Sequence, residues 1–285
     1  MDLYTTIAAL FRAGWRVLDL DVRAPGHEHI PDEGPAILAS NHVGYLDFCF
    51  LALAPPRPRR QVRFLARHDI FDRRPVGWAL RTMGQIAVDV HGDPAPALRE
   101  AEARLRAGEV VGLHPEGTIS PSFVPRPGRT GAVRLSQRTG APIVPVALWG
   151  TQRLLTKGRP VRLQRHLAVV VRYGEPWIPA PGDPVERTRE LMERITRLLA
   201  VAQEEYPQKP APGDAWWMPH HLGGDAPTPE EAEARIRRQI AERRARAQRE
   251  AGAGTAEIVD ADAGDTPDAD TDGDDHPDGE GRATG

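Results

Sequence analysis

The chain has 285 residues, 40% of them hydrophobic, enough for one large α/β domain or two small ones. Its net charge of −3 hides an uneven distribution. Of 40 acidic and 37 basic side chains, eleven acids and one arginine lie in residues 251–285, so residues 1–250 keep 29 and 36, about +7.

A basic body suits anionic lipid or phosphorylated ligands. Nearly all of its cations are arginine, the lysines being Lys157 and Lys209, which also fits high-GC codon usage. The single cysteine, Cys49, excludes an intramolecular disulfide and a cysteine-based structural zinc site, and fits a reducing compartment. The N-terminus, with Asp2 and arginines inside its apolar stretch, makes a poor signal peptide. No apolar run reaches the roughly 18 residues that a membrane-spanning helix needs.

Taken in chain order, Leu3, Ile7, Leu10, Phe11, Gly14, Val17 and Leu18 follow helical spacing and predict an amphipathic helix. Its Phe11 and Trp15, with arginines beside them, suit either a membrane interface or packing on the core. A loop over 27–35 precedes a short buried strand, AILAS (36–40). The pattern then predicts a helix over 45–53, a strand over 62–66, a helix over 70–82 and a strand over 84–90. A helix over 94–107 follows, with proline near its start and glycine after its end. Next come a strand over 109–114, a helix over 130–139, strands over 142–150 and 167–175, and a helix over 185–203.

Strands alternating with helices indicate an α/β fold with a mostly parallel central sheet flanked by helices. Runs such as VVGL and LAVVV are apolar on both faces, as a sheet covered on both sides requires. Beyond it lies a Pro/Gly-rich segment whose Trp216 and Trp217 suggest packing on the body, then a charged helix over 229–249. The acidic tail, 253–285, is expected to be disordered. The organisation read from the sequence is therefore 1–29, 30–206, 207–252 and 253–285.

Two stretches carry candidate chemistry. In SNHVGYLDF (40–48), His42 and Asp47 stand five residues apart, roughly 500° of helical rotation, which leaves them about 140° apart on a continuous helix. They meet only if His42 lies in the loop after the strand and Asp47 in the helix. His42 would then sit beyond the C-terminal end of a strand, where open parallel sheets bind ligands. An aspartate on one imidazole nitrogen fixes the tautomer and leaves the other nitrogen free to take a proton. The spacing alone also fits an ordinary polar cap.

The second stretch is LHPEGTIS (113–120), where Pro115 and Gly117 shape a turn that brings Glu116 and the amides around Gly117 and Thr118 to the same sheet edge.

In this order, NHVGYLD, PEGT and PIVPVALWG resemble the PlsC-type lysophospholipid acyltransferases, the 1-acylglycerol-3-phosphate acyltransferase family, over roughly residues 30–180. The resemblance implies transfer of a fatty acyl group from acyl-CoA or acyl carrier protein to a lysolipid hydroxyl in phospholipid biosynthesis. It implies no cofactor, His42 as general base, Asp47 as its orienting partner, and Glu116 and Gly117 in the acceptor site. Thr118 and Arg129 join them as candidate substrate-binding residues. Residues 1–29 would be a membrane-docking region, and the protein would be cytoplasmic and peripheral on the inner face of the cell membrane.

Two positions depart from the pattern. Ile119 and Val90 stand where the family commonly has arginines associated with the acceptor phosphate, which puts lysophosphatidic acid in doubt and makes Arg81, Arg126 or Arg129 the substitutes. His114 replaces the usual aromatic before PEG. The alternatives are the same chemistry on a glycolipid or other non-phosphate acceptor, or a non-catalytic membrane- or partner-binding protein on this fold.

Other candidates are weaker. Cys49 lies on the apolar stretch FCFLAL and reads as a buried thiol rather than a nucleophile. The pairs in HEH (27–29) and HH (220–221) lack a third ligand at useful spacing, so no metal site is expected. There is no G-x-S-x-G elbow and no P-loop. The arginines of 231–249 are interleaved with glutamates, which favours a solvated or partner-facing helix over nucleic-acid binding.

Overall fold

The alternating apolar and amphipathic segments become one sheet and its helical covers in a computed structural model of the protein, which describes residues 3–54, 60–89, 92–242 and 245. The strands are β1 (Asp21–Arg23), β2 (Ala36–Ser40), β3 (Val62–Arg67), β4 (Ile86–Val88), β5 (Val110–Leu113), β6 (Ile143–Trp149) and β7 (Ala168–Tyr173). The α-helices are α1 (Leu3–Val17), α2 (Asp47–Leu53), α3 (His68–Phe71), α4 (Val76–Thr82), α5 (Ala95–Arg106), α6 (Gly131–Thr139) and α7 (Pro184–Glu204). Residues 229–242 are also helical, and the chain divides into two units after Ala232. The end of the expected charged helix and the acidic tail 253–285 lie outside the described residues, as does Val90.

The seven strands run in the order β1-β7-β6-β2-β5-β3-β4, and every pairing is parallel except β6 with β7. The central strand β2 is buried along its whole length between β5 and β6, with Leu38 opposite Gly112 on one side and Val144 on the other. Its side chains alternate between two cores. Ala36 and Leu38 join Ala8 of α1 and Phe50 and Leu51 of α2 on one face. Ile37 and Ala39 join Ala101 and Leu105 of α5, Val133 of α6 and Ile195 of α7 on the other. This two-sided burial is why the strand reads as a continuous apolar run. Gly112 in β5 is required by close packing, since a Cβ there would lie 2.3 Å from the Phe64 ring.

A third apolar cluster covers the far end of β6 and β7. Trp216 and Trp217 fold back against Trp149, Tyr206, Leu199 and Ala202, as their position in the Pro/Gly-rich segment suggested.

The structure differs from the sequence reading at several elements. The expected helix over 70–82 is two short helices, α3 and α4, because Pro75 lacks an N–H and restricts the residue before it. Strand β1 was not foreseen. Its sequence DVR has no apolar run, and it pairs with β7 at the sheet edge, inside the stretch read as a docking region.

In α1 the packed side is Tyr4, Ala8, Phe11 and Trp15 rather than the whole aliphatic stripe. Trp15 stacks on Phe50, ring centroids 4.5 Å apart, and the large aromatic surface prevails over the aliphatic periodicity. Leu10 and Val17 consequently remain 66% and 70% exposed.

Candidate active site

The sheet order explains how the distant motifs meet. Because β2 lies between β5 and β6, the loops leaving the C-terminal ends of these three parallel strands are neighbours. They carry His42, Glu116 and Thr151 respectively. Asn41 extends β2 by one residue with its side chain: Nδ2 donates to the Leu148 carbonyl at 3.0 Å and Oδ1 accepts the Leu148 N–H at 2.7 Å. This side-chain mimic of a strand backbone lets the main chain turn away at His42.

His42 lies in that loop and Asp47 opens α2, the arrangement that the five-residue spacing demanded. His42 Nδ1–H donates to Asp47 Oδ2 at 2.8 Å. The same oxygen accepts the N–H groups of Val43 at 2.7 Å and Gly44 at 2.9 Å, and Oδ1 accepts the Thr151 hydroxyl at 2.5 Å. Asp47 is fully buried while the His42 side chain keeps 20% of its surface exposed. Burial pushes the carboxyl of Asp47 upward, but the hydrogen bond and charge of His42 and the Thr151 hydroxyl outweigh it and hold it below the usual range. A buried carboxylate therefore orients a partly exposed imidazole.

His114 is the unexpected neighbour. Its ring stacks on that of His42, centroids 4.1 Å apart and planes within 3°. Its Nδ1 sits 2.9 Å from Ser40 Oγ and 3.2 Å from the Asn41 carbonyl. Burial, reinforced by the adjacent His42, lowers its pKa to about 3, so it stays a neutral flat wall at neutral pH.

Glu116 turns both carboxylate oxygens onto backbone: Oε1 accepts the His42 N–H at 2.8 Å and Oε2 the Arg126 N–H at 3.0 Å. Burial raises its pKa to about 8 despite these bonds. The side chain braces the His42 loop against the 115–129 loop.

Gly117 has φ +69°, and the Arg129 Nε lies 3.0 Å from where a Cβ would sit, so the arginine lies directly over the turn. Thr118 is partly exposed beside it. Ile119, where an arginine was expected to reach a phosphate, is only 4% exposed and faces inward. Among the other candidate arginines, Arg81 donates to the Phe71 carbonyl at 2.9 Å. Cys49 is buried, which drives its thiol pKa far up and removes it as a nucleophile. Among the described residues no cluster of His, Cys, Asp or Glu is arranged to hold a metal ion.

A profile of the acyltransferase family matches residues 21–149, the stretch that supplies His42, Asp47 and the PEGT turn. Over those residues the chain is similar to the acyltransferase family. Within it, the 1-acyl-sn-glycerol-3-phosphate acyltransferase of Bacillus subtilis is 27% identical over 141 residues, which are 48% of this chain and 69% of that protein. A chloroplastic enzyme of the same name from Brassica napus is 30% identical over 138 residues, 47% of this chain and 38% of that one. The chain thus spans well under half of the Brassica relative's length. The fold is shared with the crystal structure of PlsC from Thermotoga maritima, at a TM-score of 0.58 and 24% identity over 68% of this chain and 78% of that one. Thr151 and the His114 stack escaped the motif-based reading. Each lies next to an acyltransferase motif, yet only the folded sheet brings its side chain to the dyad.

Proposed function

We propose that the chain transfers a fatty acyl group from a thioester donor, acyl-CoA or acyl carrier protein, to the hydroxyl of a 1-acylglycerol-3-phosphate-like lysophospholipid. The observation that carries this reading is the His42–Asp47 hydrogen bond, made by a buried carboxylate to a partly exposed imidazole at the C-terminal edge of the sheet. His42 Nε2 takes the hydroxyl proton as the acceptor oxygen attacks the thioester carbonyl. The tetrahedral intermediate collapses, the C–S bond breaks, and the departing thiolate takes that proton back from the imidazolium. Asp47 stabilises the charged ring between the two transfers.

Arg129, held over Gly117, is the residue we assign to the acceptor phosphate, with Thr118 beside it. The inward Ile119 is the one observation favouring a non-phosphate acceptor. We place the protein at the inner face of the cell membrane. No described helix is long and apolar enough to cross a membrane. The exposed Leu10 and Val161 border an apolar groove of about 310 Å³ beside α1, which suits contact with lipid.

The test is thiol release by the purified protein from acyl-CoA or acylated carrier protein with lysolipids that carry or lack a terminal phosphate, with product identified in each case. Activity on the phosphorylated acceptor that falls in Arg129→Ala supports the assignment. Equal activity on both acceptor types in the parent and in Arg129→Ala selects the non-phosphate reading. A parent protein that acylates neither leaves the non-catalytic alternative.

A further inference from the structure

The carboxylate of Asp47 has two oxygens, and the catalytic histidine with two backbone amides occupies only Oδ2. Oδ1 is held by Thr151, whose hydroxyl donates across 104 residues of sequence at 2.5 Å, with both side chains buried. Two anchored oxygens define the carboxylate plane, and one anchored oxygen does not. We propose that Thr151 is a positioning residue for the acyl transfer: it fixes the plane of Asp47, and through Asp47 the ring of His42.

The turn that carries Thr151 is itself secured on its far side. Gln152 Oε1 accepts the Gly150 N–H at 2.8 Å, and its Nε2 donates to the Trp217 carbonyl at 3.2 Å. The Arg153 guanidinium lies 4.3 Å from the Trp217 ring centroid and donates to Gln208 Oε1 at 2.7 Å. A hydroxyl on a turn so restrained is aimed before substrate arrives, and outer partners that orient an active group typically matter by about 10–100-fold in activity. The geometry also explains Gly44, where a Cβ would lie 3.0 Å from the Leu155 carbonyl and 3.2 Å from Asp47 Oδ1. The ionisable groups facing Asp47 are His42, His114, Glu116 and Cys49.

The inference rests on the proposed acyl transfer for its rate readout but not for its spectroscopic one. Thr151→Val removes the hydroxyl at nearly constant shape, and Thr151→Ser restores it. In Thr151→Val we expect kcat to fall by about 10–100-fold with KM little changed. The acid limb of the pH–rate profile moves to higher pH, because a carboxylate that has lost a donor holds an imidazolium more strongly. The low-field proton resonance of His42 Nδ1–H shifts in the same variant, and Thr151→Ser returns all three readouts toward the parent.

A merely structural role would lower the melting temperature without moving the acid limb or the resonance. If Thr151→Val does not fold, Thr151→Cys, with a weak donor in the same place, is measured instead. Unchanged kcat, pH limb and resonance in the folded variant overturn the proposal. If the parent shows no transfer to any lysolipid, the resonance still decides the Thr151 contact, so failure of the functional reading is separable from failure of this one.

Discussion

The imidazole of His42 is useful only while its two ring nitrogens have different jobs. Asp47 claims Nδ1 from a buried position, and the proposed proton transfer uses Nε2 of the partly exposed ring. Replacing His42 with Ala is expected to reduce transfer by about 10²–10⁴-fold in a folded protein, and Asp47→Asn nearly as far, measured as initial rates at saturating donor. Parent-like rates in His42→Ala would end the assignment.

His114 poses a different question, since its ring touches His42 without competing for a proton. His114→Phe keeps a flat wall and is expected to keep most activity, whereas His114→Ala is expected to let the His42 ring tilt and to lower kcat. The same pair tests stability against pH. A native pKa of about 3 lies below the ordinary histidine value of 6.5, so between those limits the unfolded chain binds a proton that the folded one does not. Stability carried by this group is complete above about pH 6.5 and declines as pH falls toward 3. Denaturant titrations from pH 7 to pH 4 are therefore expected to show a shallower loss in His114→Phe than in the parent. Identical slopes would mean that the histidine is not held neutral.

Elements built from long, uniform patterns were legible before folding, and those decided by a single competing contact were not. β2, β5 and β6 are apolar on both sides, and α5 and α7 combine periodicity with proline at the start. Each appears within a few residues of its expected bounds. The break between α3 and α4 was written in Pro75 but masked by the apolar residues around it. The orientation of α1 was set by Trp15 finding Phe50, a contact between residues 35 positions apart that no local period encodes. The PEGT turn was legible, yet the bracing contacts of Glu116 were not, because its two acceptors face main-chain donors on separate loops. The inward Ile119 carries a prediction: Ile119→Arg would bury a guanidinium rather than offer one to a phosphate, so it is expected to destabilise the fold and not to improve acceptor use. The Trp217 strap is the counterpart on the far side of β6. Trp217 is fully buried among Trp149, Tyr206 and the Arg153 guanidinium, and Trp217→Ala is expected to cost roughly 3–5 kcal/mol in denaturant unfolding. A loss under about 1 kcal/mol would show that the strap is dispensable to the core.

At the scale of the whole molecule, one topological choice assembles the site. Three motifs spread over more than a hundred residues become neighbours because β2 is threaded between β5 and β6. Sequence order could place each motif at a strand end but could not state the strand order. Charge is the other whole-molecule property. Residues 254–285 contain all eleven acids of the C-terminal stretch and Arg282, and removing them takes the chain from −3 to about +7. Their composition offers no pattern for a core, so truncation after Ala253 is expected to leave the melting temperature and basal transfer rate nearly unchanged. The electrostatics should change sign: the truncated protein, carrying net positive charge, is expected to bind vesicles containing anionic lipid more tightly than the full chain at low salt. The difference should shrink as ionic strength rises and the screening length falls to about 8 Å near physiological salt. Cosedimentation with neutral and anionic vesicles across a salt series measures this directly. A fall in melting temperature of more than a few degrees would show that the tail packs, and equal vesicle binding by both forms at low salt would show that its charge does not restrain the basic body.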